Sequence, residues 1–147
     1  MVRSRKATEA KAMAGTGPAF RASRESLVVA GRRLKLALTD PVNEAVLRDT
    51  FRDAVVALEF HIDSLRAHGG LADRIATSEP RLLNDVQRLD ASLSDLLTGF
   101  WEAQKELGPV QAESRARLTD LAAELDLVAE RETALLYEAE VHLGGLD

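Results

Sequence analysis

The chain contains no cysteine, so a disulfide framework, a thiolate metal site and a cysteine nucleophile are all excluded. Aromatic residues are scarce, at 4% of 147 residues, and no run of Val, Ile, Thr and Tyr suggests a strand. No apolar run approaches the roughly 18 residues needed to cross a bilayer, and no secretory signal core is visible. The expected location is therefore cytoplasmic. The catalytic signatures G-x-S-x-G and H-E-x-x-H are missing, as are the P-loop and the dinucleotide fingerprint. Ser and Asp are plentiful, yet none falls in a spacing that defends a Ser-His-acid arrangement. No enzyme is expected.

What the chain does contain is Ala, Leu, Glu, Arg and Asp, a composition that favours helix. Its length suits one domain with a sizeable core. Charge is distributed unevenly. Up to Lys35 there are nine basic and two acidic residues, a net +7, and the remaining residues carry a net −12. Met1 to Phe20 lacks an apolar face and contains Gly15, Gly17 and Pro18, so residues 1–22 are expected to form a flexible basic arm, with at most a short helix over Thr8–Ala14. Arg3, Arg5, Lys6 and Lys11 are its candidate partner-binding groups, for a protein or, through phosphates, for nucleic acid.

Residues 23–147 carry four stripes at helical spacing. The first helix is expected over Ser23–Thr39, with Leu27, Gly31, Leu34 and Leu38 inward. Asp40-Pro41 supplies a cap and an initial proline for the second, which extends to about His68 with Phe51, Val55, Leu58, Ile62 and Leu65 inward. Gly69-Gly70 interrupts it, and a short helical turn through Ala76 follows. Ser78-Glu79-Pro80 starts the third, which buries Leu82, Val86, Leu89, Leu93, Leu96 and Phe100 and ends before Gly108-Pro109. The fourth runs from about Val110 to Leu143 on a stripe of Leu118, Leu121, Leu125, Val128, Glu132, Leu135, Ala139 and Leu143. Wide stripes and short connections predict an all-α, antiparallel up-down-up-down four-helix bundle.

Two residues break this apolar pattern. Glu132 sits mid-stripe, where a carboxylate is costly unless paired. His61 stands at the edge of the second stripe and is the expected partner of Glu132 across the core. Trp101, beside Phe100, is expected at the rim of the core, where an exposed indole would mark a partner surface. His68 suits a helix C-terminus, and His142, one turn after Glu138, suits a solvated face.

The stretch Glu130-Arg131-Glu132-Thr133-Ala134-Leu135-Leu136-Tyr137-Glu138-Ala139, ending in Gly144-Gly145-Leu146-Asp147, resembles the last helix of bacterial hemerythrin-like (HHE cation-binding) domains. Phe60-His61 through Pro80-Arg81-Leu82, followed by Val86-Gln87-Arg88-Leu89, resembles helices two and three of that family. The resemblance implies a bundle whose inward histidines and carboxylates hold two irons. At the corresponding positions this chain has Gly31, His61, Leu65, Leu93, Val128 and Glu132, so only His61 and Glu132 match. The resulting expectation is a degenerate metal site with no cofactor, and His61 and Glu132 as vestigial ligands. The function expected is that of a non-enzymatic interaction or regulatory module, binding another protein or a second copy of itself. Two alternatives stand beside it. One is an iron protein for oxygen or redox sensing that recruits Glu59, Asp63 or Glu138. The other is a nucleic-acid-associated protein acting through the arm.

Overall fold

A computed structural model describes the backbone of residues 2–39, 44–106 and 112–144 and the side chains of residues 19–39, 44–106 and 114–139. Among these the chain is all helix. The elements are α1 (Val2–Thr39), α2 (Glu44–Arg66), α3 (Leu71–Ser78), α4 (Leu83–Glu106) and α5 (Ala112–Gly144), with a 3-10 turn at Pro80–Leu82 leading into α4. Four are long. α1 packs on α2 and α5, and α4 packs on α2 and α5, so the four close a ring around one core.

The core is built from the expected stripes. Leu27 and Leu34 of α1, Phe51, Leu58 and Leu65 of α2, Val86, Leu93 and Phe100 of α4, and Leu118, Leu125 and Val128 of α5 are all buried. Each recurs three, four or seven residues from the next, which keeps it on one face of its helix. Burial of each such side chain contributes on the order of 1.5–3 kcal/mol. The side chain of Leu143, residues 40–43 and 107–111, and with them the capping signals at Asp40-Pro41 and Gly108-Pro109, lie outside the described residues.

Two departures from expectation concern the ends of elements. The backbone is helical from Val2, so α1 starts well before Ser23 and includes most of the stretch expected to be a flexible arm. Residues 5–14 are mostly Ala, Lys, Arg and Glu, strong helix formers that need no apolar face to favour the helical backbone locally. Phe20, placed in the arm by its sequence neighbourhood, is in fact buried with the core. The bundle interior therefore reaches at least one turn further than residue 23.

The α2–α3 junction is as the glycine pair predicts. Gly69 has a φ of 75°, a left-handed conformation open to glycine. At Gly70 an added Cβ would lie 2.6 Å from the Ser64 carbonyl oxygen and 2.7 Å from that of Ala67, so only hydrogen fits. The Gly70 amide donates to the Ala67 carbonyl at 2.7 Å and closes the turn. α3 then runs to Ser78, two residues further than expected. It lays Leu71 and Ile75 over the end of the bundle between α2 and α4.

Candidate functional site

A polar layer crosses the bundle at the level of His61. Ser23 on α1, His61 on α2 and Glu132 on α5 are 0%, 0% and 3% exposed. His61 Nε2 lies 2.6 Å from Glu132 Oε2, a buried contact that meets the expected pairing. On the other side of the ring, His61 Nδ1 lies 2.9 Å from Ser23 Oγ. Ser23 Oγ also lies 2.8 Å from the Phe20 carbonyl oxygen, one turn back on its own helix. The second carboxylate oxygen, Glu132 Oε1, is 3.2 Å from Nε of Arg24. The same guanidinium donates to Thr133 Oγ1, and Thr133 donates to the Ala129 carbonyl at 2.9 Å. The ring of Phe20 covers His61, with centroids 5.1 Å apart.

The layer is saturated. Among the described residues no buried side-chain nitrogen or oxygen lacks a hydrogen-bond partner. Two proton arrangements satisfy it. In one, the Ser23 hydroxyl donates to Phe20 O, and an imidazolium donates from Nδ1 to Ser23 and from Nε2 to Glu132. In the other, Ser23 donates to Nδ1 of a neutral imidazole, whose Nε2–H still donates to Glu132. They differ by one proton and a rotation of the hydroxyl. Arg24 balances the carboxylate from the partly exposed side.

Ser23, His61 and Glu132 form a Ser-His-carboxylate line that the sequence spacing did not disclose. Ser23 is fully buried, so the line is closed off from solvent. Ser23 stands one turn before Leu27, so its inward position was legible from the α1 stripe. Arg24 was not, because its neighbour in sequence faces the core and its own role depends on where α5 packs.

The positions aligned with metal ligands have other surroundings. Leu65, Leu93 and Val128 are in the hydrophobic core, and Gly31 approaches α5 so closely that a Cβ would lie 3.1 Å from Leu125 Cδ2. Both ring nitrogens of His61 and both oxygens of Glu132 already have partners. Glu59 accepts from Trp101 Nε1 at 2.9 Å, Glu138 accepts from Arg81 at 3.1 Å, and Asp63 is exposed; none joins the layer. Among the described residues no three His, Asp or Glu side chains form a group able to hold a metal. The donor set does not fit a di-iron centre.

Other candidates are dispersed. Trp101 of α4 is 45% exposed and donates to Glu59 of α2, on which Phe60 and Val56 are also exposed. Leu136 of α5 packs partly buried against the core. His68 is exposed near Asp73, with Nδ1 3.6 Å from the carboxylate. The side chains of Arg3, Arg5, Lys6, Lys11 and His142 lie outside the described residues. Near the layer, Arg66 makes a two-pronged contact with Asp90, at 2.8 and 2.6 Å. The hydrogen bond from Arg66 lowers the Asp90 pKa below its ordinary value and raises that of Arg66. Among the described residues no helix is long and apolar enough to cross a membrane. No protein-family model, curated protein or solved structure matches the chain.

Proposed function

We propose that this chain is a hemerythrin-like, antiparallel up-down-up-down bundle that has exchanged its metal centre for a hydrogen-bonded core. In this role it is a non-enzymatic interaction or regulatory module of the cytoplasm. The observation that carries the proposal is the saturated layer of Ser23, His61, Glu132 and Arg24. A ligand set kept for iron would leave lone pairs converging on a shared empty point. Here the imidazole and the carboxylate are spent on each other and on side chains of α1. The contact pairs Arg24–Glu132, Gly31–Leu125 and Arg115–Leu38 run in opposite directions along α1 and α5, which supports the antiparallel arrangement.

The partner surface is assigned to Val56, Phe60 and Trp101. Val56 and Phe60 are one helical turn apart and bracket Glu59, which holds the indole of Trp101. Large aromatic side chains at the surface with one polar tether are typical anchors of an interface. The partner is another protein or a second copy of the chain.

Metal analysis of protein purified without chelator tests the first part. The expected result is iron far below one atom per chain, and about two iron atoms per chain overturns it. The double variant Phe60→Ser, Trp101→Ser tests the second. Loss of self-association or of a captured partner, with the fold unchanged by circular dichroism, is expected; association unaffected by the pair of substitutions refutes the surface.

A further inference from the structure

A groove of about 380 Å³ opens between α1 and α5 beside the polar layer. Its floor is apolar: Leu27 of α1, Leu93 of α4, and Leu125 and Val128 of α5. Its volume is at the small end of the roughly 300–1,000 Å³ range of ligand pockets, which favours a small molecule over a nucleotide or an extended peptide.

Of the six charged side chains that line the groove, four are used. Arg24 is committed to Glu132, and Lys35 of α1 is paired with Asp126 of α5. Two are not. Arg32 on the α1 wall and Glu130 on the α5 wall, both exposed, line the groove, and neither has an ion-pair or hydrogen-bond partner among the described residues. The Gly31–Leu125 contact sets the register of the two helices. It places Arg32 and Glu130 about six residues apart along the helix axes, roughly 9 Å at 1.5 Å per residue. They are offset along the groove with an apolar floor below it. The gap calls for a molecule with an anionic group, a cationic group and an apolar body.

We propose that this groove binds a free α-amino acid with an apolar side chain. Its carboxylate meets the Arg32 guanidinium, its ammonium meets Glu130, and its side chain lies on Leu93, Leu125 and Val128. A phosphate ester would bring more negative charge than a single uncommitted guanidinium matches, and a simple fatty acid would leave Glu130 facing its tail. The site is separate from the Phe60–Trp101 surface and does not depend on the metal being lost.

Isothermal titration with phenylalanine and leucine tests the proposal directly. Saturable binding at one site per chain is expected. N-acetylphenylalanine lacks the ammonium, phenylalanine amide lacks the carboxylate, and glycine lacks the apolar body. Each is expected to bind at least about tenfold more weakly, the loss anticipated for one charged hydrogen bond or one buried side chain. Arg32→Ala and Glu130→Ala alter exposed side chains outside the core, so both variants should fold, and each should weaken binding by a similar factor. Ala129→Trp fills the groove and should abolish binding, whereas Arg33→Ala, on the same helix but outside the groove, should leave it unchanged. The proposal is overturned by absence of saturable binding of both amino acids, by equal binding of the acetylated or amidated forms, or by binding that survives Arg32→Ala and Glu130→Ala.

Discussion

The two halves of the bundle interior solve the same packing problem with opposite chemistry. In one half, Phe51 of α2 and Phe100 of α4 stack with ring centroids 5.2 Å apart, among Leu34, Leu47 and Leu118. In the other half, α1, α2 and α5 are joined at their centre by Ser23, His61 and Glu132. The apolar half derives its stability from area removed from water and from contact density, to which every atom contributes. The polar half contributes less net stability, because each hydrogen bond replaces one with water. It is instead specific: the layer is satisfied only when α1, α2 and α5 stand in one register. The comparison teaches that a buried polar layer here constrains how the helices align, while the hydrocarbon sets how firmly they hold.

That contrast can be broken most forcefully at Phe100. Phe100→Ala should cost about 3–5 kcal/mol in urea denaturation, since the cavity beside Phe51 has no nearby side chain free to fill it. Glu132→Leu comes next, with an expected loss of about 2–3 kcal/mol because it strands His61 Nε2 in the core and frees Arg24. The sharpest comparison is with wholesale replacement. Ser23→Ala, His61→Phe and Glu132→Leu together should lie within about 1–2 kcal/mol of the natural chain, since no polar group is then left buried without a partner. A triple variant as unstable as Glu132→Leu alone would show that the layer supplies stability as well as register.

The smallest effect is expected at the surface of the polar half. Asp90→Asn should cost less than about 1 kcal/mol at neutral pH, because the Arg66–Asp90 pair is largely solvated. The sign of its pH dependence follows from the lowered Asp90 pKa. The pair's contribution is fully present above the ordinary carboxylate value and is lost as pH falls through the lower, folded value. The stability gap between the natural chain and Asp90→Asn should therefore close on acidification, measured as the difference in urea midpoint at neutral and acidic pH. A gap that widens would reverse the assignment.

Much of this was legible in the residues themselves. The stripe positions from Leu27 to Leu135 are buried where their spacing put them, except Leu38, which is only partly buried, because a period near 3.6 leaves one face for the core whatever the partner helix. Glu132 was conspicuous as a carboxylate on an apolar stripe, and His61 was the histidine best placed to meet it. Ser23 was passed over because a serine is equally at home on a solvated face, and Phe20 because the glycines and proline before it suggested a tail.

Helix type, helix faces and the glycine turn between α2 and α3 were thus determined by local sequence, since propensity, periodicity and the room around a glycine are properties of neighbouring residues. Tertiary packing alone decided that Ser23, His61, Glu132 and Arg24 share one hydrogen-bonded layer, and that Arg32 and Glu130 face a common groove without touching. These residues are far apart in the chain, and the distances between them depend on how three helices settle against one another. No spacing along a single helix carries that information.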